Sequence, residues 1–314
     1  MIDLARIAAW ALLGVCVGLA ANCLLVSALE ILAPRRGRIV RLAKARLHAE
    51  VRGQGIPILY LHGAQSSGRE FAIGAAQFLE EGFLHVLMDR PGHGHSSRVR
   101  GQESLAVQAE YAAKLLEHLE IKRAVIAAHA EGAAVALRLA LERPELVRAL
   151  VLVAPLIHSR ARRDGARMAP VWLVWLWAHT LAPWAWLAGT GLRLRAKFSP
   201  QPPAPKFAAR SQDGLGARPS AWLADWRARG RFSSECALQA SRYPQIGAYA
   251  LILSADRDAF ADPQENGRAL YGALPRAELV MAPGMGHMLH HVRAQAVAAA
   301  IRRAASLEQR PAPR

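Results

Sequence analysis

Short apolar runs that alternate with amphipathic segments constrain the fold of this chain more than any other feature of its sequence. The apolar runs are typical of buried strands, and they occupy residues 58–61, 83–88, 124–128, 149–153, 250–254 and 278–281. Apolar residues at three- and four-residue steps predict helices at 71–80, 105–119, 131–141 and 294–305. Because strands and helices alternate, we predict an α/β fold with a mostly parallel sheet and helices on both faces.

The alternation breaks between residues 157 and 231, where prolines interrupt a segment that is rich in tryptophan and arginine. We interpret this segment as a helical cap inserted between two strands. The predicted organisation is an anchor at 1–33, a core in two parts at 34–156 and 232–306, the cap at 157–231 and a flexible tail at 307–314.

Residues 7–26 form an apolar segment with no charge, in which Asn22 is the polar interruption. A helix of this length crosses a hydrocarbon core of about 30 Å. A cleaved signal peptide is the alternative, but its apolar region is normally about 7 to 15 residues, and no clear small-x-small cleavage site follows here. We therefore predict a single transmembrane helix.

The formal net charge of +16, from 40 basic and 24 acidic residues, indicates contact with an anionic partner. The basic residues are scattered and no nucleic-acid-binding motif is found, so we expect membrane lipid as a partner and no nucleic acid. The residues that follow the apolar segment include Arg35, Arg36, Arg38, Arg41, Lys44 and Arg46, whereas Arg6 precedes it. The positive-inside rule favours a cytoplasmic domain, although head-group binding on either face is left open.

The sequence Ala128-His129-Ala130-Glu131-Gly132 lies between a predicted strand and a predicted helix. It matches the pattern small-x-nucleophile-x-small, in which a sharp strand-to-helix turn presents the central side chain above the sheet. Because backbone N–H groups and the helix dipole converge there, we expect the N–H of Glu131 to stabilise an oxyanion. The central residue is Ala130, whose methyl group has no nucleophilic atom.

A turn with the sequence His62-Gly63-Ala64 follows the first apolar run. On a sheet of this kind such a turn supplies a second oxyanion-binding N–H, which we assign to Ala64. Another loop, which begins with Asp89 and Arg90, contains two glycines and a proline. We interpret Asp89 and Arg90 as residues that brace this loop rather than react.

An acid and a histidine follow the last two predicted strands, in the order that the partners of a nucleophile take on this fold. Asp258 is preferred over Asp256 as the acid, because it stands three residues after the small residue that closes its strand. His287 is preferred as the base over His290 and His291, because these two fall on the first turn of a helix and are interpreted as surface histidines.

Taken in order, these motifs resemble the α/β-hydrolase superfamily over residues 48–305, and most of all bacterial serine esterases, lipases and membrane-anchored phospholipase A enzymes. The resemblance implies that His62, Gly63 and Ala64 form the oxyanion turn, with His62 and Gly63 against the substrate. It also implies that Asp258 is the acid and His287 the base. A bacterial inner-membrane protein with a periplasmic domain is implied as well, in conflict with the positive-inside prediction.

The departure from the family pattern is Ala130, where the esterases have serine and where dehalogenases and epoxide hydrolases have aspartate. Three explanations are open: an introduced inactivating substitution, a natural pseudo-enzyme that binds ligands or partners, and an enzyme with an unrecognised mechanism. Glu131 is not favoured as a substitute nucleophile, because its side chain is expected to point away from the turn. The intact Asp258 and His287 favour the first explanation, since a pure binding module has no chemical use for them.

Tryptophans crowd the start of the predicted cap, at Trp172, Trp175, Trp177, Trp184 and Trp186. Such a stripe is typical of packing, but a cap that roofs an active site and the preference of tryptophan for membrane interfaces both indicate an apolar substrate. We predict that Trp172 and Trp175 contact a lipid or long acyl ester. The predicted function is a membrane-anchored carboxyl-ester hydrolase that needs no metal or cofactor, with a non-catalytic binding module as the alternative and a homodimer left open.

Overall fold

The computed structural model describes residues 3–42, 45–79, 81–158 and 169–307. Residues 308–314 of the predicted tail, residues 159–168 of the predicted cap, Lys44 and Glu80 lie outside the described residues. The described strands form one sheet, and their bounds are β1 Arg38–Leu42, β2 Ala45–Gly53, β3 Ile56–Leu61, β4 Phe83–Met88, β5 Ala124–His129, β6 Val147–Val153, β7 Tyr249–Ala255 and β8 Ala277–Ala282. Their order across the sheet is β1-β2-β4-β3-β5-β6-β7-β8.

Neighbouring strands from β3 to β8 run parallel, so the predicted α/β fold with a mostly parallel sheet is confirmed. β1 and β2 pair antiparallel at one edge, and the sequence pattern does not predict them because their basic residues resemble the flank of a membrane segment. The burial pattern explains the omission, because exposed arginines alternate with buried Val40, Leu42 and Leu47.

The described helices are α1 Leu4–Leu32, α2 Arg69–Ala72, α3 Leu105–His118, α4 Glu131–Glu142, α5 Val171–Thr180, α6 Ala182–Ala188, α7 Thr190–Phe198, α8 Phe207–Ser211, α9 Pro219–Arg229, α10 Phe232–Ala240, α11 Ala269–Ala273, α12 Leu289–Val292 and α13 Ala294–Ser306. The helices predicted at 105–119, 131–141 and 294–305 are confirmed as α3, α4 and α13 to within one residue.

Helices cover both faces of the sheet, because successive strand residues point to opposite faces and both sides are apolar. Leu59 and Leu61 of β3 pack in a core with α3 and α4, whereas Ile58 and Tyr60 pack in a second core with α2 and α13. Since β3 to β8 are parallel, their carboxyl ends share one edge, where the loops that follow them meet.

The predicted helix at 71–80 is wrong in its extent. α2 ends at Ala72, and a separate 3₁₀ turn follows at Ala75–Phe78, with Gly74 between them. A Cβ on Gly74 would lie 2.4 Å from the carbonyl oxygen of His290. The break therefore lets α12 pack directly on the backbone of this segment.

A helical excursion between β6 and β7 contains α5 to α10. Its last helix returns to the sheet, because Phe232 and Cys236 of α10 belong to the larger core. At its start, the backbone N–H groups of Ile157 and His158 both donate to Oδ1 of Asn266, at 2.8 Å each. The excursion therefore leaves and rejoins the core at fixed points.

α1 is the one helix among the described residues that is long and apolar enough to cross a membrane. Many of its large apolar side chains are exposed, while one face packs against α5 and α6. A Cβ on Gly18 would lie 3.5 Å from Cγ2 of Thr180, and Glu30 pairs with Arg218 at 3.1 Å. A helix with so much exposed apolar surface is stable in the hydrocarbon core of a membrane. Both a membrane anchor and a signal sequence have this property.

Deletion of residues 1–33 should move the protein from the membrane to the soluble fraction, because this deletion removes α1. We expect this result in ultracentrifugation of lysates after a high-salt wash, with the full-length chain as the control. Circular dichroism of the truncated chain should retain the helix and strand signals. If the truncated chain still sediments with membranes after the wash, the exposed surface of α5 and α6 holds the protein there.

Candidate active site

Ala130 lies at the sharp turn between β5 and α4, with φ of 50° and ψ of −119°. A residue with a side chain rarely adopts a positive φ, and such strain costs about 1 to 3 kcal/mol. The N–H of Ala130 donates to the carbonyl oxygen of Val153 at 3.1 Å. Two glycines permit the close packing around this turn. A Cβ on Gly132 would lie 2.2 Å from the carbonyl oxygen of Leu61, and a Cβ on Gly63 would lie 3.2 Å from the Ala130 methyl group.

His287 lies between β8 and α12 and is paired with Asp258 from the loop after β7. Nδ1 of His287 and Oδ2 of Asp258 are 2.8 Å apart. The other oxygen of Asp258 accepts the backbone N–H groups of Phe260 and Ala261, at 2.8 and 2.9 Å. These bonds hold the carboxylate that orients the imidazole, whereas the alternative acid, Asp256, is exposed.

A cavity of about 310 Å³ lies over Ala130 and brings most of the predicted site residues together. Its lining includes Gly63, Ala64, Ala130, Glu131 and His287. The N–H of Glu131 belongs to the first turn of α4, where N–H groups have no partner inside the helix. The cavity therefore combines an imidazole that has a carboxylate partner with a helix N-terminus and the strained turn.

A buried hydrogen-bond network fixes the loops on either side of this turn. Nη2 of Arg90 donates to the carbonyl oxygen of Gly63 at 2.8 Å and lies 3.8 Å from the carboxylate of Glu131. Asp89 accepts the N–H of Gly68 at 2.8 Å. Asp89 and Arg90 thus brace this region, as the sequence predicts, and the side chain of Glu131 is directed at Arg90.

Three residues predicted to contact substrate are not among the described residues that line this cavity. His62 is fully buried; its Nδ1 donates to the carbonyl oxygen of Gly63 at 2.7 Å, and its Nε2 accepts the N–H of Arg90 at 3.0 Å. Trp172 and Trp175 are 65% and 45% exposed on α5. His62 therefore positions the turn at Gly63, and the side chains of Trp172 and Trp175 lie on the outer surface of the protein.

A further set of titratable residues adjoins the cavity and is missed by sequence reasoning. Glu70 and His129 line the cavity, and His290 is fully buried. The prediction that His290 and His291 lie on the surface is wrong, because α12 packs against α2; the rings of Phe71 and His290 are 5.0 Å apart, and His291 is partly buried. The clustered histidines are a visible sequence signal, but their burial depends on tertiary packing.

The ionisation of this set is governed by burial. Burial, reinforced by His290, lowers the pKa of His129 to about 4. Burial alone would raise the pKa of Glu70, but His129 and His290 outweigh it and hold the pKa well below its usual value. At neutral pH, Glu70 is therefore a buried carboxylate beside an uncharged His129.

Fold and site together define a protein of the α/β-hydrolase class of folds. The sequence model of the alpha/beta hydrolase fold matches residues 56–294, well over half of the chain. The chain therefore belongs to the α/β hydrolase fold family.

Hydrolases are among the proteins that this chain resembles in sequence and in structure. An uncharacterised hydrolase of Bacillus subtilis (strain 168) is 33% identical over 118 residues, which are 38% of this chain and 41% of the relative. A 2-hydroxymuconate semialdehyde hydrolase of Pseudomonas putida is 34% identical over 122 residues, 38% of this chain and 43% of the relative. The matches thus span less than half the length of these curated relatives. The crystal structure of a membrane phospholipase A, described as a bacterial virulence factor, shares the fold with a TM-score of 0.65 at 23% identity, over 95% of this chain and 96% of that one.

Substitution of Gly132 by alanine should lower the free energy of unfolding by about 1 to 3 kcal/mol, because the added Cβ meets the backbone at Leu61. Chemical denaturation of the detergent-solubilised chain measures this change. Gly272→Ala is the matched control, since Gly272 lies in α11 with open space around it. An equal loss in both variants would contradict the close packing of α4 on β3.

Acid should weaken the contribution of Asp89 to stability. Burial alone would raise the pKa of Asp89, but the hydrogen bond with His48 and the charge of that ring outweigh it and lower the pKa to about 2 from the ordinary 3.8. A lowered pKa stabilises the folded state above pH of about 4, and this contribution is lost as the pH falls toward 2. The difference in melting temperature between the unmodified chain and Asp89→Asn should therefore be constant above pH 5 and shrink below about pH 4. A difference that stays constant down to about pH 2.5 would exclude this role.

Proposed function

We propose that this chain is a membrane-anchored carboxyl-ester hydrolase in which the nucleophile position is occupied by Ala130, so that the chain as it stands is nearly inactive. One observation carries the proposal: Ala130 keeps a strained positive φ in the same cavity as His287, whose imidazole is paired with Asp258. A methyl group gains nothing from this strain, whereas a hydroxyl at the same position would be presented to the imidazole.

With a serine at position 130, the reaction would follow acyl-enzyme chemistry. The hydroxyl oxygen attacks the ester carbonyl carbon while His287 takes its proton, and Asp258 stabilises the resulting imidazolium. The N–H groups of Ala64 and Glu131 hold the oxyanion. His287 then protonates the departing alcohol, and water, deprotonated by His287, releases the carboxylic acid and restores the hydroxyl.

An acyl chain is the substrate portion that the surroundings of the site accommodate. A second cavity, of about 350 Å³, lies between α5 and α9 and is walled by Leu173, Val174, Trp177, Trp222 and Trp226. Arg229 lines both cavities, so the apolar cavity adjoins the one over Ala130. An apolar chamber beside a polar reacting centre suits a lipid or long acyl ester.

The packing of the cap on α1 supports delivery of that substrate from the bilayer. Gly18 faces Thr180 of α5, since a Cβ on Gly18 would lie 3.5 Å from Cγ2 of Thr180. Gly18 precedes the end of the apolar segment at residue 26 by about 12 Å along the helix. If residues 7–26 span the membrane, the end of α5 lies within the hydrocarbon region. The exposed Trp172 and Trp175 would then contact lipid, which gives these residues a role at the membrane rather than in the cavity.

A second function, a pseudo-hydrolase that binds lipid or a partner without turnover, is favoured by Ala130 itself. The retained Asp258 and His287 pair favours the enzyme, since binding alone makes no use of it. The two functions differ in what a single hydroxyl at position 130 would do.

Ala130→Ser should create hydrolysis of acyl esters, because the turn, the oxyanion donors and the His287–Asp258 pair otherwise complete the site. An enzyme that has lost its triad nucleophile typically keeps a rate enhancement of only about 10³- to 10⁴-fold over the reaction in water. We expect kcat of the serine variant with p-nitrophenyl acyl esters to exceed that of the unmodified chain by on the order of 10⁴- to 10⁶-fold. The serine variant should also react with a fluorophosphonate probe.

Ala130→Gly is the control for relief of backbone strain without a hydroxyl, and it should stay inactive. In the serine variant, His287→Ala or Asp258→Asn should suppress turnover, whereas Asp256→Asn should not. The proposed hydrolase function would be rejected, and the binding module favoured, if a folded serine variant neither reacted with the probe nor hydrolysed short or long esters.

A further inference from the structure

A cluster of buried donors lies behind His287, outside the proposed catalytic set. It joins α2 to α12, because Oε1 of Glu70 lies 3.0 Å from Nε2 of His290. One donor atom each from Glu70, His290 and His291 lies within 4.8 Å of the other two. A carboxylate oxygen and two imidazole nitrogens from two separate segments thus converge on one point.

Several imidazole nitrogens in this cluster lack hydrogen-bond partners among the described residues. Nδ1 of His290 and Nε2 of His291 are buried and make no hydrogen bond with any described residue, and Nε2 of His290 faces the Glu70 carboxylate at 3.0 Å. Nδ1 of His129, which lies 3.4 Å from Oε1 of Glu70, is also without one. Buried polar atoms are nearly always satisfied, so several together indicate a bound species that they share.

The charge of the cluster points to a cation. Glu70 is 3% exposed, and no lysine or arginine nitrogen among the described residues lies within 4.0 Å of its carboxylate. A buried carboxylate is costly unless it is paired or coordinates a metal. Ser66 donates a hydrogen bond to Oε2, which leaves Oε1 directed at the histidines.

We propose that Glu70, His290 and His291 bind one transition-metal dication, with Zn²⁺ as the ion that fits best. Two imidazoles and a carboxylate form a known zinc ligand set, in which a water molecule takes the fourth position. Calcium and magnesium prefer sites made of oxygen ligands, so they fit this set poorly. Glu70 also lines the cavity over Ala130, which gives the ion a route from solvent.

The proposed metal ties α12 to α2 immediately after the loop that carries His287. Nε2 of His129 lies 3.3 Å from the carbonyl oxygen of His287, so the cluster also contacts the backbone of that residue. The metal would therefore stabilise the position of the His287 loop without taking part in ester hydrolysis. The site stands independently of the proposed function, because ion binding is measured without turnover.

The test uses the full-length chain, purified in detergent without a polyhistidine tag, stripped with a chelator and dialysed against Zn²⁺. We expect about one equivalent of zinc by mass spectrometry of the metal, a raised melting temperature, and the intense visible absorption of a tetrahedral site when Co²⁺ replaces Zn²⁺. Glu70→Gln and His291→Ala should each abolish stoichiometric retention. Ser66→Ala, which removes the hydrogen bond to the ligand carboxylate, should weaken binding by roughly 10- to 100-fold.

His118→Ala is the matched control, because His118 is an exposed histidine on α3 and should leave binding unchanged. Circular dichroism of each metal-free variant establishes that it is folded, and if Glu70→Gln fails to fold, His291→Ala decides the result. Failure of the unmodified chain to retain zinc would overturn the proposal and assign the cluster to a buried water or shared proton. Retention by His291→Ala equal to that of His118→Ala would overturn it as well.

Discussion

The contact between the start of α4 and the end of β3 is the constraint on which the rest of the site depends. The backbone at Gly132 and the carbonyl oxygen of Leu61 approach so closely that a single added carbon would collide with that oxygen. The turn between β5 and α4 holds Ala130 at positive φ, and a Cβ on Gly63 would lie 3.2 Å from the Ala130 methyl group. The cavity floor is thus made by close packing of the backbone around the turn.

Buried polar groups hold the loops around the cavity in place where backbone packing alone does not. Arg90 connects the turn at Gly63 with the side chain of Glu131, and Asp89 holds the chain at Gly68. Because these groups lie in a low-dielectric interior, each bond is costly to lose, and the loops around the cavity are correspondingly rigid. If the cavity is the reacting centre, these contacts supply the fixed geometry that stabilisation of a developing charge requires.

Sequence patterns predict the parts of this protein that depend on local periodicity. The strands from β3 to β8 and the helices α3, α4 and α13 follow from apolar spacing, and the pairing of His287 with Asp258 follows from motif order. β1 and β2 are missed because their arginines dominate the composition of the segment. The burial of His290 and the outward position of Trp172 depend on how short helices dock, which no periodicity in four to ten residues specifies.

The attachment of the helical excursion to the core has an evolutionary consequence. Its first residues are pinned by one amide oxygen of Asn266, and α10 rejoins the core through Phe232 and Cys236, so both ends are fixed irrespective of what lies between. Helices α5 to α9 can therefore be lengthened, shortened or exchanged without disturbing the sheet that presents Ala130. Selection on such a scaffold can alter the preferred ligand and the depth of contact with lipid, provided that Gln201 keeps its hydrogen bonds to the backbone of Gly284 and Gly286 beside His287.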